Sequence, residues 1–114
     1  MFTLVNEAGV PGQVAGLLLY YGNTVCDDGF SDNSAIAICR EMGYPGFHSW
    51  RNGQFYDIQA NLEIGLDDVF CSSGSWDSCT STTSHNCAHG EDVHLTCLPE
   101  EYIGKFKVQS GLSW

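Results

Sequence analysis

Six cysteines in 114 residues constrain this chain more than any other feature. They are Cys26, Cys39, Cys71, Cys79, Cys87 and Cys97. An even count in a short chain points to a disulfide framework made in an oxidising compartment. The competing reading is a reduced zinc site, for which Cys79, Cys87, His89, His94 and Cys97 supply the right ligand types. The chain has no C-x2-C pair, however, and that tight spacing marks most structural zinc sites. Sequence alone leaves about 15 ways to pair six cysteines. The length suits one domain with a modest core, to which three cross-links would each add about 2–4 kcal/mol.

Charge narrows the partners. There are 14 acidic and 4 basic residues, for a formal net charge of −10. The basic side chains are Arg40, Arg51, Lys105 and Lys107. That balance argues against nucleic acid, where cations must replace counterions at phosphates. It also argues against docking on an anionic membrane. For most of the acids, solubility of a secreted domain is reason enough. No segment is long and apolar enough to span a bilayer. The run from Val14 to Tyr21 is too short, contains Gly16, and lacks the basic flank of a signal peptide.

Residues 1–12 read as a leader segment, with Gly9, Pro11 and Gly12 as turn signals. Phe2 and Leu4 alternate too weakly with Thr3 and Val5 to predict a strand. Residues 14–21 read as a buried strand ended by Gly22-Asn23, and Thr24-Val25-Cys26 as a second one before a turn at Asp27-Asp28-Gly29. One helix is predicted over Ser31–Met42. Ser31 or Asp32 can cap it, Ala35, Ile36, Ile38, Cys39 and Met42 form its apolar stripe, and Gly43 can end it. Residues 45–65 read as a long surface loop with a short strand near Phe55-Tyr56. Trp50 and Phe55 are expected in the core, and the role of Trp76 stays open. Residues 64–71 and 93–97 alternate like strands, while residues 72–84 are almost all small and polar. In the tail, residues 99–114, Phe106 and Val108 alternate with Lys105 and Lys107, the pattern of an exposed strand that could serve assembly.

Acidic groups stand beside cysteines at both ends of the framework. Cys26-Asp27-Asp28 lies at one end and Asn86-Cys87-Ala88-His89-Gly90-Glu91-Asp92 at the other. A disulfide between these regions would gather carboxylates on one rigid surface, which suits a hard cation such as calcium.

Taken in order, the motifs resemble a scavenger receptor cysteine-rich (SRCR) domain over residues 13–98. They are Thr24-Val25-Cys26-Asp27-Asp28-Gly29-Phe30, Ala35-Ile36-Ala37-Ile38-Cys39-Arg40-Glu41-Met42-Gly43-Tyr44, Leu66-Asp67-Asp68-Val69-Phe70-Cys71, and His85-Asn86-Cys87-Ala88-His89-Gly90-Glu91-Asp92-Val93, closed by Cys97. The resemblance implies an α+β fold: a curved antiparallel sheet cradling one α-helix at about 31–43, with three disulfides. The implied pairs are Cys26–Cys87, Cys39–Cys97 and Cys71–Cys79. The extra bridge of eight-cysteine relatives would fall near Gln13 and at Tyr44, so this chain resembles the six-cysteine branch.

The resemblance also implies cation sites. The first would use Asp27, Asp28 and Glu91. A second, weaker one would use Asp67, Asp68 and Asn86. One of the two aspartates at 67 and 68 is expected to face the core. The bland alternatives are that Asp27 or Asp28 caps the turn at Gly29 and that Glu91 pairs with Arg40 or Arg51. His89 is expected to be a packed structural residue. The implied function is an extracellular recognition or adhesion module whose bound calcium bridges protein or polyanionic ligands. The alternative is a structural subunit that forms homo- or hetero-oligomers through its terminal segments. An enzyme is not expected. The chain has no G-x-S-x-G elbow and no H-E-x-x-H helix, and no free thiol if all six cysteines pair.

Overall fold

The computed structural model describes residues 1–99. The strands are β1 (Phe2–Val5), β2 (Ala15–Tyr20), β3 (Asn23–Val25), β4 (Gly46–Asn52), β5 (Ile64–Cys71), β6 (Cys79–Thr82) and β7 (Val93–Leu98). A single α-helix, α1 (Asp32–Glu41), follows β3. Short 3-10 turns occupy Asp57–Asn61, Trp76–Ser78 and His89–Glu91. The strands form one sheet in the order β4-β7-β2-β3-β5-β6, with β1 paired to β2. Pairing is antiparallel except between β3 and β5, which run parallel. The sheet is therefore mixed rather than purely antiparallel. Lys105, Phe106, Lys107 and Val108 lie outside the described residues.

Helix α1 begins where Ser31 supplies its side-chain oxygen to the Ser34 N–H. Ser34 returns the bond to the Ser31 N–H and donates to the Val69 carbonyl at 2.9 Å. The cap thereby also fastens the helix to β5. Ala35, Ile38 and Cys39 turn inward against Leu4, Leu18, Val25, Leu66, Val69, Val93 and Leu95. On the opposite face of the sheet, Val5, Leu17 and Leu19 are covered by Tyr56, Ile58 and Leu62. Disulfides join Cys26 to Cys87, Cys39 to Cys97 and Cys71 to Cys79, and no described cysteine is free. These are the pairs the resemblance implies, and they leave no thiolate for the zinc reading. The Tyr44 hydroxyl donates to the Gln13 carbonyl at 3.4 Å, where eight-cysteine relatives would carry their additional bridge.

Three local expectations change. Residues 2–5 do form a strand, β1, which pairs with β2 from Phe2–Tyr20 to Val5–Leu17. Its alternation is weak because both faces are covered: Phe2 and Leu4 pack on the helix side, Val5 on the other. Gly16 permits this close approach, since a methyl group there would overlap the Val5 carbonyl oxygen. Residues 46–52 form edge strand β4 instead of a loop. A register shift between Phe47 and Ser49 breaks the two-residue period, and exposed His48, Ser49, Arg51 and Asn52 dilute the apolar signal. Finally, Phe55 is 49% exposed and lies in no strand, with the Arg51 guanidinium 4.0 Å above its ring. Trp50 does pack inward, 4.8 Å from Phe30, and its indole N–H donates to Asp32 at 3.2 Å.

Candidate metal centre

The acidic site forms where the end of β3 meets the turn before β7. Cys26 makes an isolated bridge to Asp92, and its disulfide to Cys87 closes a sequence separation of 61. The Asp27 N–H donates to the Glu91 carbonyl at 2.9 Å, and the Phe30 N–H closes the turn onto the Asp27 carbonyl at 2.9 Å. Backbone bonds and a covalent link therefore position the carboxylates. Oxygens of Asp27, Asp28 and Glu91 lie within 4.8 Å of one another.

The residues of the second implied site are less united. An Asp67 oxygen lies within 4.8 Å of one from Asp28, so this part of the second set adjoins the first. Asp67 is buried and accepts from the Asp68 N–H at 2.7 Å, which makes it the inward-facing member of its pair. Asp68 is exposed, has a positive φ of 54° and belongs to neither cluster. Asn86 is also exposed, with its side-chain oxygen 4.0 Å from the Cys87 sulfur.

Each member of the first cluster has a distinct environment. The Asn52 side-chain amide donates to Asp27. Glu91 accepts from the Ala88 N–H at 2.9 Å. Asp28 has the Cys87 sulfur 3.6 Å away, but that disulfide sulfur carries no proton to donate. Neither arginine serves Glu91. Arg40 donates to the Gly74 carbonyl at 3.1 Å, and Arg51 stacks on Phe55. Among the described residues the one ion pair is His89–Asp92, outside the cluster. Partial desolvation raises the Asp28 carboxyl above its ordinary value, and repulsion from Asp67, Glu91, Asp27 and Asp68 raises it further. Crowded oxygen donors without a side-chain cation are the chemistry that a hard divalent ion relieves.

A buried polar network supports the turn that carries Glu91. Gln59, fully buried, accepts from the Phe55 and Tyr56 N–H groups at 3.0 and 2.9 Å. Its amide donates to the Gly53 carbonyl at 3.0 Å and to Asp92 Oδ2 at 2.9 Å. His89 lies 2.7 Å from the same Asp92 oxygen and 2.9 Å from the Leu62 carbonyl, consistent with its expected structural role. Asp92 Oδ1 is buried without a hydrogen-bond partner among the described residues. Sequence reasoning missed Gln59, Asp92 and Asn52. Gln59 sits in a mixed polar and apolar stretch with no periodic signal, and only its tertiary partners reveal its role.

His94 is buried between the rings of Phe55 and Tyr56, with centroid distances of 4.9 and 5.0 Å. Burial lowers its pKa below the ordinary value, Arg51 adds to the effect, and the bond to the Gly53 carbonyl opposes it. The unfolded chain therefore binds a proton at this residue before the folded one does. Stability attributable to His94 is complete above about pH 6.5 and declines as pH falls toward the folded value. In urea titrations across pH 7.5 to pH 5, expected as about the range that brackets this step, wild type loses more stability on acidification than His94→Gln. Parallel losses would remove His94 as the cause.

A family model described as the scavenger receptor cysteine-rich domain matches residues 11–98. The chain belongs to the scavenger receptor cysteine-rich family. Among curated relatives, this SRCR chain is 35% identical over 107 residues to lysyl oxidase homolog 4 of Homo sapiens, covering 89% of the chain and 14% of that protein. It is 36% identical over 94 residues to lysyl oxidase homolog 2 of Bos taurus, covering 78% of the chain and 12% of that protein. The chain thus spans a small part of the length of these relatives. Among solved structures, the third SRCR domain of murine neurotrypsin superposes with a TM-score of 0.58 at 27% identity, covering 85% of this chain and 96% of that one. SRCR domains are non-catalytic ligand-binding modules of extracellular proteins, and among the described residues no helix could cross a membrane.

Proposed function

We propose that this chain is an extracellular, non-catalytic recognition module that binds its ligand through calcium. The observation carrying this reading is the convergence of Asp27, Asp28 and Glu91 oxygens within 4.8 Å, with no cationic side chain among them. A chain of net charge −10 repels a polyanion. A divalent ion held by these three carboxylates with open coordination positions reverses the local sign. It can then link a sulfate, phosphate or carboxylate of the ligand to the domain. Asp67, with an oxygen within 4.8 Å of one from Asp28, would hold the same ion or a second one; Asp68 and Asn86 would have to turn toward it.

The test is retention of the oxidised protein on immobilised dextran sulfate in millimolar calcium, in magnesium, and in EDTA. Retention in calcium, with release by EDTA and by Glu91→Gln, is the expected result. Retention unchanged by EDTA would refute bridging through a metal.

A further inference from the structure

The sheet face opposite the helix carries a cleft that shares no residue with the acidic cluster. The register of three strands sets its side chains. Arg51 pairs with His94 and His94 with Leu17, while Ser49 pairs with Thr96 and Thr96 with Ala15. Leu17 belongs to the apolar group on that face, and side chains directly opposite one another across a ladder share a face. Arg51, Ser49, His94 and Thr96 therefore project together, whereas Trp50 and Leu95 point toward the helix. Ala15 and Gly16 are small and leave the middle of the surface low. The result is a cleft of about 350 Å³, within the range of small-molecule sites, with Tyr56 as one wall.

The polar groups that line it have few partners within the protein. Arg51 is exposed and makes no ion pair among the described residues, although the chain has 14 acidic side chains. Its guanidinium lies 4.0 Å above the Phe55 ring, which steadies the plane and leaves the N–H donors at its edges. The Gly53 carbonyl can only accept, so His94 Nε2 carries the proton in the bond between them. Burial favours the neutral ring, and Nδ1 is then an acceptor without a partner among the described residues. The Ser49 hydroxyl lies 2.9 Å from His48 Nδ1 and keeps lone pairs for a further bond. The Thr96 hydroxyl is half-buried at the same surface.

We infer that this cleft binds the ring of an acidic sugar, a uronic or a sialic acid, by its carboxylate and hydroxyls. The carboxylate meets the edge of the Arg51 guanidinium, whose fork matches two oxygens at once. A ring hydroxyl donates to His94 Nδ1, and others exchange bonds with Ser49 and Thr96. The body of the ring packs against Tyr56. A carboxylate alone needs only the arginine; the nitrogen acceptor and the two hydroxyls beside it select a ligand that carries hydroxyls of its own. A single negative charge is also the least repelled by a chain of net charge −10. This binding uses no metal, so it is independent of calcium at the acidic cluster.

The test is an amide-resolved NMR titration of the full oxidised chain in EDTA. The probes are methyl β-glucuronide, the methyl glycoside of N-acetylneuraminic acid, neutral methyl β-glucoside, and acetate. Shifts centred on Ser49, Arg51, His94 and Thr96 are expected with at least one sugar acid, at millimolar affinity, and the tighter of the two identifies the source. The neutral glucoside and acetate are each expected to bind about tenfold or more weakly. Arg51→Lys keeps the charge but loses the fork, and is expected to weaken the sugar acid about three- to tenfold. Thr96→Val, close in shape, is expected to weaken it about two- to fivefold. Equal binding of acetate would reduce the effect to charge attraction and overturn the inference. So would equal binding of the neutral glucoside, shifts confined to another surface, or no binding of either acid.

Discussion

The oxidised protein is expected to unfold at a higher temperature in millimolar calcium than in EDTA, and Asp28→Asn is expected to erase the difference. An ion that binds only the folded state adds about 1.4 kcal/mol at ten times its dissociation constant. For a domain of this size that is about 5–10 °C in the midpoint. The substitution has a second, opposite consequence. Desolvation and four neighbouring carboxylates raise the Asp28 carboxyl. For a group raised in this way, stability is fully present below its unfolded value near 3.8 and is lost as pH rises through the folded one. At neutral pH the charge of Asp28 therefore opposes folding in the absence of metal. Asp28→Asn should raise the midpoint in EDTA while removing the response to calcium. Identical wild-type midpoints in calcium and EDTA would reduce the cluster to a solvated surface.

Gln59→Ala is expected to lower stability by about 3–5 kcal/mol, measured as a shifted urea midpoint. The size follows from the bonding of the wild-type amide, whose two ends satisfy four partners while fully buried. Alanine strands the Phe55 and Tyr56 N–H groups and leaves the Gly53 carbonyl with its His94 partner alone. It also leaves Asp92, already unpartnered at Oδ1, held by His89 alone. The effect should reach the acidic cluster, because Asp92 and His89 fix the turn that presents Glu91. Calcium affinity is expected to fall together with stability. A loss below about 1 kcal/mol, typical of an exposed polar change, would show that the network does not hold this loop.

The parts legible in sequence were those whose signal is local or covalent. Helix α1 was readable from Ser31, its apolar stripe and Gly43, and the structure ends it within a residue or two of that reading. Strands β2, β5 and β7 declared themselves through apolar runs and alternation. Cys26 and Cys87 flagged the junction where Asp27, Asp28 and Glu91 meet, because a cross-link makes distant neighbours predictable. What escaped was set by tertiary context. β4 hides behind a register shift and a polar outer face, and β1 is short and covered on both sides. The parallel pairing of β3 with β5 depends on where the chain returns after the Asp57–Asn61 turn, which no local pattern encodes. Gln59 was invisible for a related reason: a buried glutamine and an exposed one look the same in a stretch without periodicity.

The two sides of β2 are held by different partners. The Tyr21 N–H bonds the Met1 carbonyl at one end of the strand, and the Cys97 N–H bonds the Val14 carbonyl at the other. By the alternation of an antiparallel ladder, odd-numbered residues of β2 face β1 and even-numbered ones face β7 and β3. The Cys39–Cys97 disulfide ties β7 in turn to the helix. With both of its margins occupied, β2 is the strand that local opening of the sheet reaches last.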